Sequence, residues 1–374
     1  MPQFSWHCFS TDRRGAAKGA NTDPLKLTEM TALDNSAIKK QRNGSIDALR
    51  GFAAMLVLLH HLGVLPATTE FGDAGRIGVL LFFIISGYCI FLSLDRNHYR
   101  AREFLIVRFY RLFPVYWVSI IVTIMVTPVV VDWKSVLANL TMVPGLFRED
   151  YIVPVCWTLA IEIMFYVLIL FGIVASLRPT LRLMAAVCGA LLAMTIAVAA
   201  ARFFLGANLP FAHLLFMATF LLGGTLYGMQ RNGMPSWSVA LACSIFLAAV
   251  ALVSFWVYHD TSNVEVRTDT YDFASYLGNF IGAVGLFYVV VFWMPIKTAV
   301  TDFFGATSYS LYLFHSAIFK AAENWFHSDT AVRAVTLTLC SIAISAAAYY
   351  FIETPFMRWG KTRIRPRQVT GISG

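Results

Sequence analysis

Charge is what this chain has least of: Asp, Glu, Lys and Arg make up 13% of its 374 residues, about half the share of an ordinary soluble domain. That scarcity argues against a soluble globular protein. Several motifs are missing as well. Without a GxSxG elbow, a P-loop or a GxGxxG turn, neither a soluble hydrolase nor a nucleotide-hydrolysing engine is indicated. The six cysteines show no C-x-x-C spacing and the eight histidines no H-x-x-x-H, which leaves no sign of a disulfide framework or a zinc site. Residues 1–44 lack the apolar core of a signal peptide, and no internal repeat is visible.

What the chain does have is apolar sequence, 58% of all residues, with a mean hydropathy of +0.66. A spanning helix takes about 20 residues. Apolar runs of that order are read at 47–66, 75–94, 112–131, 154–175, 183–201, 211–229, 237–258, 274–294, 307–326 and 331–352. The expected fold is therefore all-α, a polytopic membrane protein of about ten transmembrane helices. Lys and Arg gather on the cytoplasmic side of membrane proteins. With both termini cytoplasmic, 22 of the 29 basic residues fall inside, and the outer loops lean acidic, as in Arg148-Glu-Asp-Tyr151. The net charge of +8 then reflects topology and contact with anionic lipid, and nucleic acid is not an expected partner. Residues 1–44 read as a cytoplasmic, largely disordered tail, 45–355 as the membrane domain, and 356–374 as a basic tail lying on the inner leaflet. Asn139-Leu-Thr141 is formally a glycosylation sequon.

Polar residues inside the apolar runs are few, and each costs energy in hydrocarbon. Arg50 and His61 share one helix face about 16 Å apart along the axis, which places one at a membrane surface and the other near mid-bilayer. Asp47, one turn before Arg50, either holds that guanidinium or starts the helix. His60 points roughly 100° away from His61. Arg108 and Arg111 are one turn apart at the expected entrance of helix three, where paired guanidinium forks suit phosphate or simply anchor the chain. Glu162 lies about two turns into helix four, with only Thr158 polar beside it. His315 follows Ser308, Tyr309, Ser310 and Tyr312 in helix nine. Glu353 falls at the inner surface and is either functional or an interfacial acid.

Five stretches, in order, carry a family resemblance: Ile46-Asp-Ala-Leu-Arg-Gly to His61, Gly78 to Tyr88, Arg108 to Trp117, Trp157 to Tyr166, and Ser308 to His315. Together the chain resembles the acyltransferase 3 family of integral membrane acyltransferases, and the Trp157 stretch looks like the branch that acetylates exopolysaccharides and O-antigens. The resemblance implies transfer of an acyl group, commonly acetyl from acetyl-CoA, to a carbohydrate hydroxyl, in a bacterial inner membrane. It implies acyl-CoA as donor substrate with no tightly bound cofactor, and a carbohydrate or lipid-linked glycan as acceptor. Carried over, the Arg-x10-His pattern falls on Arg50 and His61 and the Arg-x-x-Arg pattern on Arg108 and Arg111. Arg50, Arg108 and Arg111 would bind the donor phosphates. His61 would serve as general base or acyl carrier, with Glu162 beside it, and Trp157, Tyr309 and His315 would line the acceptor side. Two features depart from the pattern: Leu80 stands where many members have Asp, and Ile163 where many have a second Glu. The competing reading is a proton-coupled transporter of an acylated or anionic small molecule, since isolated mid-membrane His and Glu also suit a proton relay. Oligomeric state is not legible.

Overall fold

The computed structural model describes residues 44–65, 72–127, 131–206, 209–258, 273–294, 296–322 and 330–364. The expected N-terminal tail up to residue 43 and the last ten residues lie outside the described residues. Within them the chain is helical, with no strand. Ten helices reach 18 residues or more: α1 (44–61), α2 (Ala74–Asn97), α3 (Ala101–Val126), α5 (Trp157–Val174), α6 (Leu181–Leu205), α7 (Ala212–Arg231), α8 (Ser236–Tyr258), α9 (Phe273–Phe292), α10 (Ala299–Ala321) and α11 (Thr330–Ala348). Short helices α4 (Trp133–Leu140) and α12 (Thr354–Thr362) complete them.

Each of the ten expected segments folds as a helix, but among the described residues eight helices are long and apolar enough to cross a membrane, and α1 and α10 are not among those eight. Both carry the polar residues that lower mean hydropathy. The polar side chains of α10 avoid lipid because the other helices enclose them: Ser308, Ser310 and His315 are all fully buried.

Two helix boundaries differ from expectation in ways that move functional residues. Helix α1 stops at His61, five residues early, because Gly63 adopts a left-handed φ of +70° that few side chains tolerate. The Gly63 and Val64 N–H groups then donate to the His60 and Leu59 carbonyls at 2.9 and 3.1 Å. His61 therefore sits exposed at the end of its helix, whereas Arg50 is half-buried and lines a cavity. Helix α3 begins eleven residues early, where the Glu103 carboxylate accepts the Arg100 N–H at 3.0 Å. That draws Arg108 and Arg111 inside the helix and away from its entrance.

Packing is tightest where α2 crosses α7. Gly87 faces the Phe220 carbonyl and Gly223 the Ile84 carbonyl, so the two backbones touch with no side chain between them, the close approach that small residues permit between membrane helices. At the other side of the bundle α1 and α10 start together, with Gly51 against Phe304 and Gly305 against Asp47.

Between α3 and α5 the chain makes an excursion through α4 and two 3-10 turns, Pro144–Phe147 and Pro154–Cys156. Asn139 knots it together. Its amide nitrogen donates to the Ser135 and Asp150 carbonyls, both at 2.9 Å, and its oxygen accepts the Ile152 N–H at 3.0 Å. The side chain is fully buried, so this sequon asparagine is structural. Asn139→Ala is expected to cost about 2–3 kcal/mol through the groups it leaves unpaired, read as a lowered unfolding midpoint.

Helix α11 runs into a π turn, Tyr349–Glu353, whose extra residue per turn shifts what faces inward. Glu353 is consequently buried within the protein and accepts a hydrogen bond from the Ser310 hydroxyl at 2.8 Å. Helix α12 then docks on α3, with the Trp359 ring 5.2 Å from that of Tyr110 and Gly360 against the same residue.

Candidate active site

Helices α1, α2, α3, α5 and α10 enclose a cavity of about 60 Å³ whose polar lining includes Arg50, Ser86, Arg111, Glu162 and Tyr309. Two guanidinium groups and one carboxylate line it, and guanidinium forks are donors suited to an anionic guest. Arg50 has Asp47 one turn behind it at 4.0 Å, at the edge of ion-pair contact. Glu162 is better supported than its own helix suggests. Its Oε1 accepts hydrogen bonds from Tyr166 at 2.5 Å, one turn along α5, and from Ser86 of α2 at 3.4 Å.

The tyrosines are held by backbone. Tyr309 donates to the Leu112 carbonyl at 3.0 Å. Tyr312 lies 2.7 Å from the Val155 carbonyl and 2.8 Å from the Thr158 hydroxyl. Because these phenols are pinned, the narrow cavity has fixed walls, with room for about four waters.

Arg108 does not join Arg111 there. Residues three apart share a helix face, yet Arg108 does not line the cavity: it is buried with its guanidinium 5.4 Å from the ring centres of both Phe104 and Tyr166. The cationic pair in the cavity is Arg50 with Arg111, contributed by different helices.

A second polar cluster lies at the far end of α1. His61 and His315 bring their rings to 5.1 Å. His61 Nδ1 is 2.8 Å from the Val57 carbonyl and His315 Nδ1 is 3.2 Å from the Leu311 carbonyl. A carbonyl can only accept, so each Nδ1 carries the proton and each Nε2 keeps a free lone pair. His315 Nε2 is buried with no hydrogen-bond partner among the described residues. His60 turns the other way, as its angular offset requires, and its Nδ1 meets Asp73 at 3.0 Å. Asp73 also caps α2 by accepting from the Gly75 N–H at 2.7 Å and the Arg76 N–H at 3.3 Å. Its role was open to sequence reasoning, as an acid immediately before an apolar helical run.

Trp157 belongs to neither cluster. It starts α5 with its ring 5.9 Å from that of Phe216 and lines a separate cavity of about 300 Å³. Leu80, at the position where an acid might have stood, is buried against the same cavity. The residues singled out from sequence thus divide four ways: Arg50, Arg111, Glu162 and Tyr309 in the cationic cavity, His61 with His315 at the end of α1, Trp157 at a separate cavity, and Arg108 packed between rings. Ser86 and Tyr166, which hold Glu162, stood inside two of the recognisable stretches; Tyr166 was marked by its i,i+4 spacing from Glu162, whereas Ser86, on another helix, had no local signal.

Comparison with known proteins gives the chain its family. The chain is 26% identical over 335 residues to the exopolysaccharide production protein ExoZ of Rhizobium meliloti (strain 1021), an alignment covering 80% of this chain and 94% of that protein. It is 27% identical over 256 residues to BcsY of Komagataeibacter xylinus, named as a membrane-bound transacylase, covering 62% of each. No solved structure matches it. The acyltransferase domain that defines the acyltransferase 3 family matches residues 43–350, a span that contains both polar clusters and the Trp157 cavity, and this chain therefore belongs to that family and is a membrane acyltransferase.

Proposed function

We propose that this protein moves an acetyl group from acetyl-CoA to a hydroxyl of a carbohydrate, as a component of exopolysaccharide modification at a bacterial inner membrane. The observation that carries the reading is the meeting of Arg50 and Arg111 from separate helices in one cavity, with bare imidazole nitrogens at the far end of α1. With both termini cytoplasmic, acyl-CoA enters from the end where α1 begins. Its phosphates meet the two guanidinium groups, and its pantetheine arm runs toward His61, about 16 Å further along α1. The cavity has to widen to admit that arm, and the single-bond rotations of Phe82 and Arg50 are the cheapest movements available beside the pinned tyrosines.

At His61 the acceptor hydroxyl oxygen attacks the thioester carbonyl while Nε2 takes the hydroxyl proton. The carbon–sulfur bond breaks, and the proton passes to the leaving thiolate, giving ester and free CoA. In the two-step form, Nε2 itself attacks the thioester and expels the CoA thiolate; the acceptor hydroxyl oxygen then opens the acyl-imidazole, the bond from Nε2 to the acyl carbon breaks to restore the neutral ring, and the hydroxyl proton passes to the thiolate. The names of ExoZ and BcsY support polysaccharide chemistry and acyl transfer respectively.

The test is acetyl-CoA binding and turnover by the purified chain. Arg111→Ala and Arg50→Ala are each expected to raise the KM for acetyl-CoA by about 10- to 100-fold, the loss of a charged hydrogen bond. Folded wild-type protein that binds no CoA would overturn this reading and favour transport.

A further inference from the structure

Arg108 is a buried charge that the cationic cavity leaves out. It is 6% exposed, and no carboxylate forms an ion pair with it among the described residues. Its Nε is buried with no hydrogen-bond partner there. A charge taken out of water without compensation is costly, so something else must hold this one. What holds it is aromatic. The guanidinium carbon lies 5.4 Å from the ring centres of Phe104, one turn back on α3, and of Tyr166 on α5, within the roughly 6 Å over which a ring face attracts a cation. Phe104 is fully buried and meets the Tyr166 ring edge to face at 5.9 Å.

Tyr166 carries the contact onward. Its hydroxyl donates to Glu162 Oε1 at 2.5 Å, and Glu162 lines the cavity that holds Arg50 and Arg111. The Ser86 hydroxyl reaches the same oxygen only at 3.4 Å, so the tyrosine is the tighter of the two supports. A positive charge over the ring draws electron density from the phenol and makes its O–H a stronger donor, and linked polar groups in a low-dielectric interior polarise one another. The negative charge that answers Arg108 is then that of Glu162, reached through Tyr166. Helix α3 thus brings Arg111 into the cavity and sets Arg108 behind the tyrosine that holds the cavity's acid.

We propose that Arg108 is a positioning residue whose charge, acting through the Tyr166 ring and hydroxyl, fixes the Glu162 carboxylate in the wall of the cationic cavity, without contact to the donor phosphates. The family pattern gives Arg108 and Arg111 one task; the packing of α3 on α5 separates them. The assignment rests on the acyl-transfer reading for the reaction it serves, but not for the contact itself.

The test joins turnover to a readout that does not need it. Acetyl transfer is measured with acetyl-CoA and with S-acetylpantetheine, the same thioester without phosphates. Arg108→Met, which keeps bulk and removes charge, is expected to lower kcat/KM about tenfold with either donor. Arg108→Lys is expected to recover most of that loss, because it keeps the cation. The Arg108→Met, Tyr166→Phe double variant is expected to lose no more than the worse single one. A loss seen with acetyl-CoA and absent with S-acetylpantetheine makes Arg108 a phosphate ligand and overturns the assignment. Losses that add in the double variant, or a Lys variant no better than Met, overturn it too. The second readout is the infrared difference spectrum of the full chain in detergent, with the Glu162 carboxylate band identified by its disappearance in Glu162→Gln. That band is expected to be displaced in Arg108→Met and in Tyr166→Phe, in the same direction; Arg108→Gln takes the place of Arg108→Met where the latter does not fold. An undisplaced band in the Arg108 variant overturns the assignment. A displaced band in a wild-type chain that transfers no acetyl keeps the Arg108–Tyr166–Glu162 coupling and removes the acyl-transfer reading.

Discussion

Replacing His61 with alanine is expected to lower acyl transfer by about 100- to 10,000-fold, the range over which a positioned general base acts, while leaving the protein folded. The side chain is exposed at the end of α1 and makes one hydrogen bond, within its own helix, to Val57. Stability should therefore change by no more than about 0.5 kcal/mol. What disappears is the bare Nε2, the nitrogen left free by the Nδ1 contact. His315 cannot take over without rearrangement, because its ring is fully buried behind His61. The measurement is acetyl-CoA turnover with a carbohydrate acceptor, accompanied by thermal unfolding in the same detergent. A loss smaller than about tenfold would remove the proton-accepting role from His61. The kinetic pattern of the wild type separates the two routes: ping-pong behaviour indicates an acyl-imidazole, and a ternary complex indicates direct attack. If both histidines act on one proton, the double replacement will cost little more than the worse single one.

Gly87→Ala is expected to be the most damaging single methyl group in the chain. A Cβ at that position would run into the Phe220 carbonyl of α7, and backbone cannot swing aside as a side chain can. Helices α2 and α7 would have to part along their whole crossing, at a cost of about 1–3 kcal/mol or more. The neighbouring residue is Ser86, which donates to Glu162 from α2. Separation of α2 should therefore disturb the cationic cavity and lower turnover as well as the unfolding midpoint. Gly285→Ala is the matched control, since a methyl group there meets open space, and removing a glycine from a helix interior is expected to be neutral or to stabilise by up to about 1 kcal/mol. Equal midpoints for the two variants would show that the α2–α7 approach is looser than described.

Helices and chemistry differ in how much of them could be seen in advance. The ten long helices were legible because a spanning segment must satisfy its backbone internally and cover itself with apolar side chains, and both demands are met locally. The same locality put Arg50 and His61 on one face and His60 off it. It did not reach as far as the helix ends: the left-handed turn at Gly63 ended α1 at His61, and the Glu103 cap carried α3 back past Arg108 and Arg111.

Sequence alone determined that this is an all-helical membrane acyltransferase with a handful of polar residues where hydrocarbon should be. Tertiary structure decided which of those residues meet. Arg50 found Arg111, Glu162 found Ser86, Glu353 found Ser310 and His61 found His315, each across helices far apart in the chain. Helical periodicity specifies a direction around one axis, whereas these partners depend on how several axes pack, and packing is settled by close contacts such as Gly87 on Phe220 that no local pattern records.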